Sequence, residues 1–176
     1  MNYQINNLPE RTQKPRTNGM TMMMDKGLSL RQVEDFIEVS GLYTDIVKLG
    51  WATSYVTPNL DAKLKLYSDA GIPVYFGGTL FEAMMVRGQF DDYCRLLDKY
   101  KLQYAEVSDG SIEIEHDVKC EYIRKLAKQV TVISEVGSKD VQKIFGWPIL
   151  YDTYISFGPL LSVTGTYMGV IQKIPS

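Results

Sequence analysis

Acidic and basic side chains recur at the ends of short apolar runs along the chain. These side chains are Asp25, Lys26, Lys48, Glu106, Asp109, Glu135 and Lys139. Carboxylate oxygens without a cluster of histidines or cysteines favour a hard cation such as Mg²⁺. Lysines beside a carboxylate-held metal suit an anionic substrate whose negative charge grows in the transition state. The residue types therefore predict a magnesium site with anion-binding groups around it.

Lys48 and Glu106 differ from the other charged residues because each lies inside an apolar run. Neighbouring side chains of a strand point to opposite faces, so we expect Lys48 on the same face as Ile46. Val47 and Leu49 should share the other face. A charge inside a buried strand is unfavourable unless it is paired or liganded. One interpretation is that both charges point into a polar barrel mouth that binds ligands; the alternative is a structural Lys–Glu ion pair across the strands.

The apolar runs have the length and composition of strands that are buried on both faces. They end near residues 25, 50, 77, 108 and 135, so successive ends are 25, 27, 31 and 27 residues apart. Helical patterns separate the runs. Ser29 and Gln32, for example, form a capping box ahead of an apolar stripe that Gly41 can close. This spacing is typical of repeated βα units and predicts a parallel sheet with right-handed crossovers.

Two architectures are built from repeated βα units, the (β/α)₈ barrel and the doubly wound open sheet. The sequence contains neither a G-x-G-x-x-G loop after the first strand nor a G-x-x-x-x-G-K-[ST] phosphate loop. Polar residues instead follow every strand. A barrel gathers all such ends on one face, where barrel active sites lie, whereas an open sheet concentrates them at one switch point. The pattern favours an α/β fold of the TIM (β/α)₈-barrel class.

Six short segments resemble the phosphosulfolactate synthase family. They are Arg-x-x-Lys-Pro-Arg at 11–16, Asp-Lys-Gly at 25–27, Lys-Leu-Gly-Trp-Ala-Thr-Ser at 48–54, Gly-Gly-Thr-Leu-Phe-Glu at 77–82, Glu-Val-Ser-Asp-Gly at 106–110 and Ser-Glu-Val-Gly-Ser-Lys at 134–139. The segments follow the family order within residues 11–140. The resemblance implies a Mg²⁺-dependent (β/α)₈-barrel lyase that adds sulfite to phosphoenolpyruvate and gives (2R)-phospho-3-sulfolactate. In methanogens this reaction opens coenzyme M biosynthesis, and plant relatives are heat-stress-associated proteins.

The resemblance also implies roles for single residues. The implied site comprises the metal ligands Glu106, Glu135 and Asp25, the catalytic acid Lys139, and the substrate-binding residues Arg16, Lys26, Lys48 and Ser108. Lys139 would protonate the substrate carbon next to the carboxylate. Two positions depart from the family pattern, because Leu49 and Ala52 stand where the family more often has Phe and Gly.

The composition changes abruptly near Asp140. Residues 141–176 carry three of the 40 charged residues but six of the 20 aromatic ones. We expect residues 1–140 to form the N-terminal part of a barrel, with about five βα units, and residues 141–176 to form an atypical aromatic-rich tail. The segments 151–157 and 160–170 have β character and could cover the open edge of the fifth strand.

A complete barrel needs about 250 residues, and its phosphate site is frequently built after the seventh and eighth strands. The tail also lacks the Glu-Ala-Arg motif of the family's later strands. We therefore expect an incomplete barrel with little or no synthase activity. Two other functions stay open: a non-catalytic, barrel-derived protein with a binding or heat-stress-associated role, and another Mg²⁺-dependent barrel enzyme that acts on phosphorylated carboxylates.

Charge and hydropathy exclude several other classes of protein. The net charge is −2 and the pI about 5.5, which argues against nucleic acid or an anionic membrane as a partner. No run of about 18 apolar residues and no signal-peptide pattern occur. The two cysteines cannot form a disulfide framework. We expect a cytoplasmic protein whose partners are phosphoenolpyruvate and sulfite, and the open strand edge makes a homo-oligomer a further expectation.

Overall fold

The computed structural model describes residues 3–136 and 168–171, in which strands and helices alternate. The strands are β1 (Met22–Asp25), β2 (Ile46–Leu49), β3 (Val74–Phe76), β4 (Tyr104–Val107), β5 (Thr131–Val136) and β6 (Met168–Ile171). The helices are α1 (Leu30–Ser40), α2 (Thr53–Val56), α3 (Leu60–Asp69), α4 (Gly78–Met85), α5 (Phe90–Lys99) and α6 (His116–Leu126). A 3₁₀ turn over Gly41–Tyr43 follows α1. The longest spacing between strand ends, before β4, is explained by two helices, α4 and α5, in that connection.

The strands form two hydrogen-bonded ladders. In the first, β1, β2 and β3 are parallel, with Met24 paired to Lys48 and Lys48 to Tyr75. In the second, β4 and β5 are parallel, with Glu106 paired to Ile133. The strands β3 and β4 lie in contact but belong to separate ladders. The predicted parallel pairing is therefore confirmed within each ladder, among β1, β2 and β3 and between β4 and β5.

The strand β6 runs antiparallel to β5, with Val136 paired to Met168. It lies in the segment that the composition marks as a tail, and it occupies the edge of β5 that was expected to be open. Residues 137–167 and 172–176 lie outside the described residues, and with them most of the predicted tail. The division of the chain near residue 140 stays a prediction.

Alternation along the strands builds a different core on each face. Val47, Leu49 and Val74 pack beneath helices α1 and α3, in a cluster that includes Val33 and Tyr67. A second cluster, which includes Ala105, Val107 and Val132, packs beneath helices α4, α5 and α6. The opposite face, which we call the inner face, carries a small cluster of Ile46, Tyr75 and Ile133. The predicted division of β2, with Lys48 and Ile46 on one face, is confirmed.

Capping residues fix the two ends of α1. Ser29 is its N-cap: the hydroxyl accepts a hydrogen bond from the Gln32 amide, and the Gln32 side chain accepts one from the Ser29 amide at 2.9 Å. Gly41 closes the helix through its amide, which donates to the Ile37 carbonyl. The capping box predicted from the sequence is therefore present. Throughout the part of the chain that the structure describes, no helix has the length and apolar character needed to cross a membrane.

Candidate active site at the carboxyl edge of the strands

Lys48, Glu106 and Glu135 meet on the inner face at the carboxyl edge, the edge at which strands β1 to β5 end. The Lys48 Nζ lies 2.7 Å from Glu106 Oε1 and 3.4 Å from Glu135 Oε2. The Glu106 side chain is 2 % exposed, and those of Lys48 and Glu135 are each 13 % exposed. Because the three residues come from β2, β4 and β5, the cluster joins the two ladders. The ion pair of the second sequence interpretation is present, and it lies at the strand ends of the inner face. That this mouth binds ligands stays a prediction.

The amino end of α4 completes the surroundings of Glu106. The Gly78 amide donates to Glu106 Oε1 at 2.9 Å. A Cβ atom at Gly78 would lie 2.8 Å from that oxygen and 2.7 Å from the Ser108 Cβ. At Gly77 a Cβ would lie 2.9 Å from the Lys48 Cε. The pair of glycines therefore lets the helix approach the ion pair more closely than any side chain would permit.

The Glu106 carboxyl is held partly protonated near neutral pH. Its pKa is raised to about 7, chiefly by burial and then by a hydrogen bond with Glu135, while the Lys48 ammonium opposes both effects. A hydrogen bond between two carboxyl groups requires a proton on one of them. Glu106 therefore takes up a proton more readily than an ordinary glutamate, although the Lys48 ammonium contacts it.

Tyr75 contacts the same carboxyl from β3. Burial, followed by the charge of Glu106 and a hydrogen bond to it, raises the pKa of the Tyr75 phenol. The hydroxyl therefore stays protonated and donates to the carboxylate. Since Tyr75 pairs with Lys48 in the register of the first ladder, the two donors approach Glu106 from neighbouring strands.

A second buried carboxyl, that of Glu82, organises the loop after β4. The residue lies in α4 and is 2 % exposed. It accepts hydrogen bonds from the Ser108 hydroxyl, from the Gly110 amide at 3.0 Å and from the Ser111 amide at 3.1 Å. Ser108, predicted to bind substrate, lies two residues after Glu106 and is buried. Its hydroxyl donates to Glu82.

Lys119 fixes the same loop from the other side. Its ammonium donates to Asp109 Oδ1 at 2.7 Å and to the Glu135 carbonyl at 2.8 Å. The residue lies in α6, so this helix ties the loop after β4 to the end of β5. The backbone that carries Glu135 is therefore held in place by a side chain that itself lies outside the ion-pair cluster.

Asp25, predicted as a third metal ligand, lies in a separate group of contacts. It is 0 % exposed at the end of β1, and Oδ1 accepts from the Gly27 and Leu28 amides at 2.8 and 2.7 Å. The Lys63 ammonium lies 3.1 Å from Oδ2, and the Tyr67 hydroxyl donates to the same oxygen at 3.0 Å. These partners give Asp25 the geometry of a structural anchor for the turn after β1. Its assignment as a metal ligand rests on the family resemblance.

Lys26 and Arg16, both predicted to bind substrate, occupy opposite ends of the strands. Lys26 is exposed at the carboxyl edge, where its ammonium lies 5.7 Å from the centre of the Trp51 ring. The Arg16 guanidinium pairs with Asp45 at 2.6 Å, just before β2 begins, and is therefore at the amino end. The structure does not bring Arg16 to the carboxyl edge. Lys139, the predicted catalytic acid, lies outside the described residues.

The donor set of the cluster fits a small divalent cation. The Lys48 ammonium contacts both Glu106 and Glu135, so oxygens of the two carboxyl groups lie close to one point at the carboxyl edge. Among residues 3–136 and 168–171, no group of three or more His, Cys, Asp and Glu side chains is placed to hold a metal. Glu106 and Glu135 would therefore supply two protein ligands. Mg²⁺ commonly takes its remaining ligands from water and substrate.

Three residues of this site were missed in the sequence. Glu82 is the lone acid in an otherwise apolar helical stretch, and that contrast was a usable signal. Tyr75 lies in the apolar run of the third strand, where a tyrosine is expected to be a core residue. Lys119 has the pattern of a solvated helix lysine, and only the packing of α6 against the end of β5 shows its role.

Comparison with known proteins places the chain in one family. Residues 9–152 match the model of the family described as (2R)-phospho-3-sulfolactate synthase. A phosphosulfolactate synthase of Bacillus subtilis is 36 % identical over 135 residues, which are 77 % of this chain and 54 % of that protein. One of Methanocaldococcus jannaschii is 40 % identical over 124 residues, 69 % of this chain and 49 % of that protein. The chain spans about half the length of the curated relatives that it matches.

Proposed function

This chain belongs to the (2R)-phospho-3-sulfolactate synthase family, and we propose that it carries the site at which sulfite adds to phosphoenolpyruvate. The observation that supports this function is the contact of Lys48 with both Glu106 and Glu135 at the carboxyl edge. We propose further that the two ladders belong to a (β/α)₈ barrel, because barrel enzymes bind their substrates at this edge.

The substrates determine what the site must supply. Phosphoenolpyruvate carries a phosphate and a carboxylate, and sulfite brings further negative charge. Lys48 and the exposed Lys26 are the cations that we assign to these anions at the carboxyl edge. Glu106 and Glu135 would hold Mg²⁺, and when bound this ion would stabilise negative charge on the substrate carboxylate.

The reaction itself requires one bond to form and one proton to be delivered. The sulfur lone pair of sulfite attacks the methylene carbon, and the electrons of the C=C bond move toward the carboxylate. The adjacent carbon then takes a proton, which gives (2R)-phospho-3-sulfolactate. We assign proton delivery to Lys139. Lys48 neutralises charge beside the reacting carboxylate, and the helix α4 keeps Glu106 in place through the Gly78 amide.

Binding and turnover of the purified 176-residue chain test this proposal. Calorimetry measures the affinity for phosphoenolpyruvate with and without Mg²⁺, and product formation from sulfite is followed in parallel. We expect Mg²⁺ to raise the affinity for the wild type and for Glu34→Gln, an exposed control on α1. Glu106→Gln should remove that dependence on Mg²⁺.

Each result of this experiment decides between the functions considered above. Turnover that depends on Glu106 supports the synthase function. Mg²⁺-dependent binding without turnover would assign the chain a non-catalytic role on the same site. Turnover of another phosphorylated carboxylate in place of phosphoenolpyruvate would assign a different barrel enzyme. Absence of phosphoenolpyruvate binding would overturn the proposal.

A further inference from the structure

The loops that follow β1 and β2 meet at the carboxyl edge. The Gly50 amide donates to the Asp25 carbonyl at 2.9 Å, so the backbones of the two loops are joined where the strands end. Just beyond this bond, the Lys26 ammonium lies 5.7 Å from the centre of the Trp51 ring. This is within the range at which a cation is attracted to the face of an aromatic ring.

Trp51 adopts a backbone conformation that its side chain disfavours. Its φ is 60°, and that of Ala52 is 56°, so two consecutive residues other than glycine are left-handed. For a bulky residue this conformation is strained. Burial does not offset the strain, because the Trp51 side chain is 69 % exposed. A tryptophan that is both strained and exposed indicates a requirement other than stability.

The partner of the Trp51 ring is the ammonium of an exposed lysine. Within residues 3–136 and 168–171 the Lys26 ammonium forms no salt bridge. An exposed lysine side chain samples many rotamers, and ordering it on binding an anion is unfavourable. A ring that restricts the ammonium before the anion arrives reduces this loss.

We propose that Trp51 is a positioning residue, which holds the Lys26 ammonium at the carboxyl edge for an anionic group of the substrate. This inference rests on the proposed function, which assigns phosphoenolpyruvate to that edge. On this proposal the strained backbone at Trp51 is retained because the indole is needed beside Lys26.

The contact can be tested without any ligand. In nuclear magnetic resonance spectra, the Lys26 side-chain protons of the wild type should be shifted upfield by the indole ring current. Trp51→Gly should remove that shift and relieve the backbone strain, so the melting temperature should stay equal or rise. Ala52→Gly is the matched control, because it relieves strain at the neighbouring residue and keeps the indole. A Lys26 spectrum unchanged by Trp51→Gly would overturn the contact.

The functional part is tested by a double-mutant cycle with phosphoenolpyruvate and Mg²⁺ as the probe. The full chain is compared with Trp51→Gly, Lys26→Gln and the double variant by calorimetry. We expect Trp51→Gly to weaken binding about 2- to 5-fold, the range of an exposed cation–π pair. In the Lys26→Gln background, Trp51→Gly should have no further effect. Trp51→Phe should restore part of the affinity, and Ala52→Gly should bind like the wild type.

The outcomes separate this inference from the proposed function. Absence of phosphoenolpyruvate binding to the wild type would remove the proposed function and this inference with it. Wild-type binding with equal affinity in Trp51→Gly, or an equal loss with and without Lys26, would overturn the positioning role alone. If Trp51→Gly does not fold, Trp51→Asn repeats the cycle, because asparagine tolerates the left-handed conformation.

Discussion

Lys48 and Glu106 are joined by a contact of 2.7 Å, although their strands belong to separate hydrogen-bonded ladders. The strand β3 lies between them and contributes Tyr75 to the same carboxyl. On the inner face the ion pair therefore connects two ladders that, within residues 3–136 and 168–171, share no strand pairing. A buried ion pair is sensitive to the removal of one partner, because the remaining charge loses its compensation.

Lys48→Met should strongly destabilise the fold. The change removes the ammonium that contacts both Glu106 and Glu135, and breaking a buried pair typically costs about 3–5 kcal/mol. The free energy of unfolding, measured by urea denaturation, checks this expectation. Lys65→Met is the matched control, since Lys65 forms an exposed pair with Asp69 at 2.8 Å. Exposed pairs of this spacing contribute about 0.3–0.5 kcal/mol. Equal losses in the two variants would contradict the role of Lys48.

The titration of the Glu106 carboxyl should lower the free energy of unfolding as the pH rises from about 4.5 to about 7. Its pKa is raised to about 7 in the fold, so between these values the folded chain binds a proton that the unfolded chain has released. Stability therefore falls across this window and levels off above it, by about 1–3 kcal/mol. The pH profile of unfolding measures the effect. Glu106→Gln should remove this slope and Glu34→Gln should keep it; a slope unchanged in Glu106→Gln would refute the assignment.

Much of the fold follows from periodicity. The βα repeat, the parallel order and the Ser29 capping box depend on local patterns, and each can be predicted because a buried strand or a helix end needs particular residue types nearby. The inner-face position of Lys48 follows from alternation alone. The pairing of Lys48 with Glu106 could also be predicted as one of two alternatives, since a charge within an apolar strand requires a partner.

The parts of the site that escaped prediction depend on packing between distant elements. Lys63 and Lys119 lie on helices, where lysines are usually solvated, yet both are buried against strand ends. Arg16 could not be placed, because its partner Asp45 is 29 residues away and belongs to the opposite end of the strands. Such pairings are set by which helix face meets which strand, and periodicity does not specify them.

Glu82→Ala should loosen the loop after β4. The change leaves the Ser108 hydroxyl and the Gly110 and Ser111 amides without their shared acceptor. Hydrogen bonds to a charged group contribute about 1.5–3 kcal/mol each, part of which water restores at the exposed end of the loop. We expect a loss of about 2–3 kcal/mol in stability. Hydrogen exchange should show lower protection of the Gly110 amide.

The control for this loop is Glu121→Ala, which removes an exposed carboxylate paired with Lys125 on α6. It should leave the Gly110 and Ser111 amides as protected as in the wild type. The Gly50 amide, bonded to the Asp25 carbonyl, serves as an internal reference in both variants. Equal protection of Gly110 in Glu82→Ala and Glu121→Ala would show that Glu82 does not hold the loop.

Gly78→Ala should destabilise the protein, although alanine is the better helix former. Alanine in a helix is favoured over glycine by about 1 kcal/mol. At Gly78, however, the new Cβ would lie 2.7 Å from the Ser108 Cβ and 2.8 Å from Glu106 Oε1. Neither neighbour has free space, because Ser108 is 1 % and Glu106 2 % exposed. Overpacking of this kind costs about 1–3 kcal/mol, so the net change should be a loss.

Gly41→Ala is the control for Gly78→Ala. It replaces a glycine by alanine at a position where the new Cβ meets no steric overlap. A Cβ at Gly41 would lie 3.5 Å from the Ile37 Cγ2, an ordinary contact, and the φ of −57° suits alanine. Gly41→Ala should therefore leave the urea midpoint unchanged or raise it, whereas Gly78→Ala lowers it. Gly78→Ala should also displace the Glu106 carboxyl from the Gly78 amide and weaken the Mg²⁺-dependent binding of phosphoenolpyruvate. Equal stability of Gly78→Ala and Gly41→Ala would contradict the close approach of α4 to Glu106.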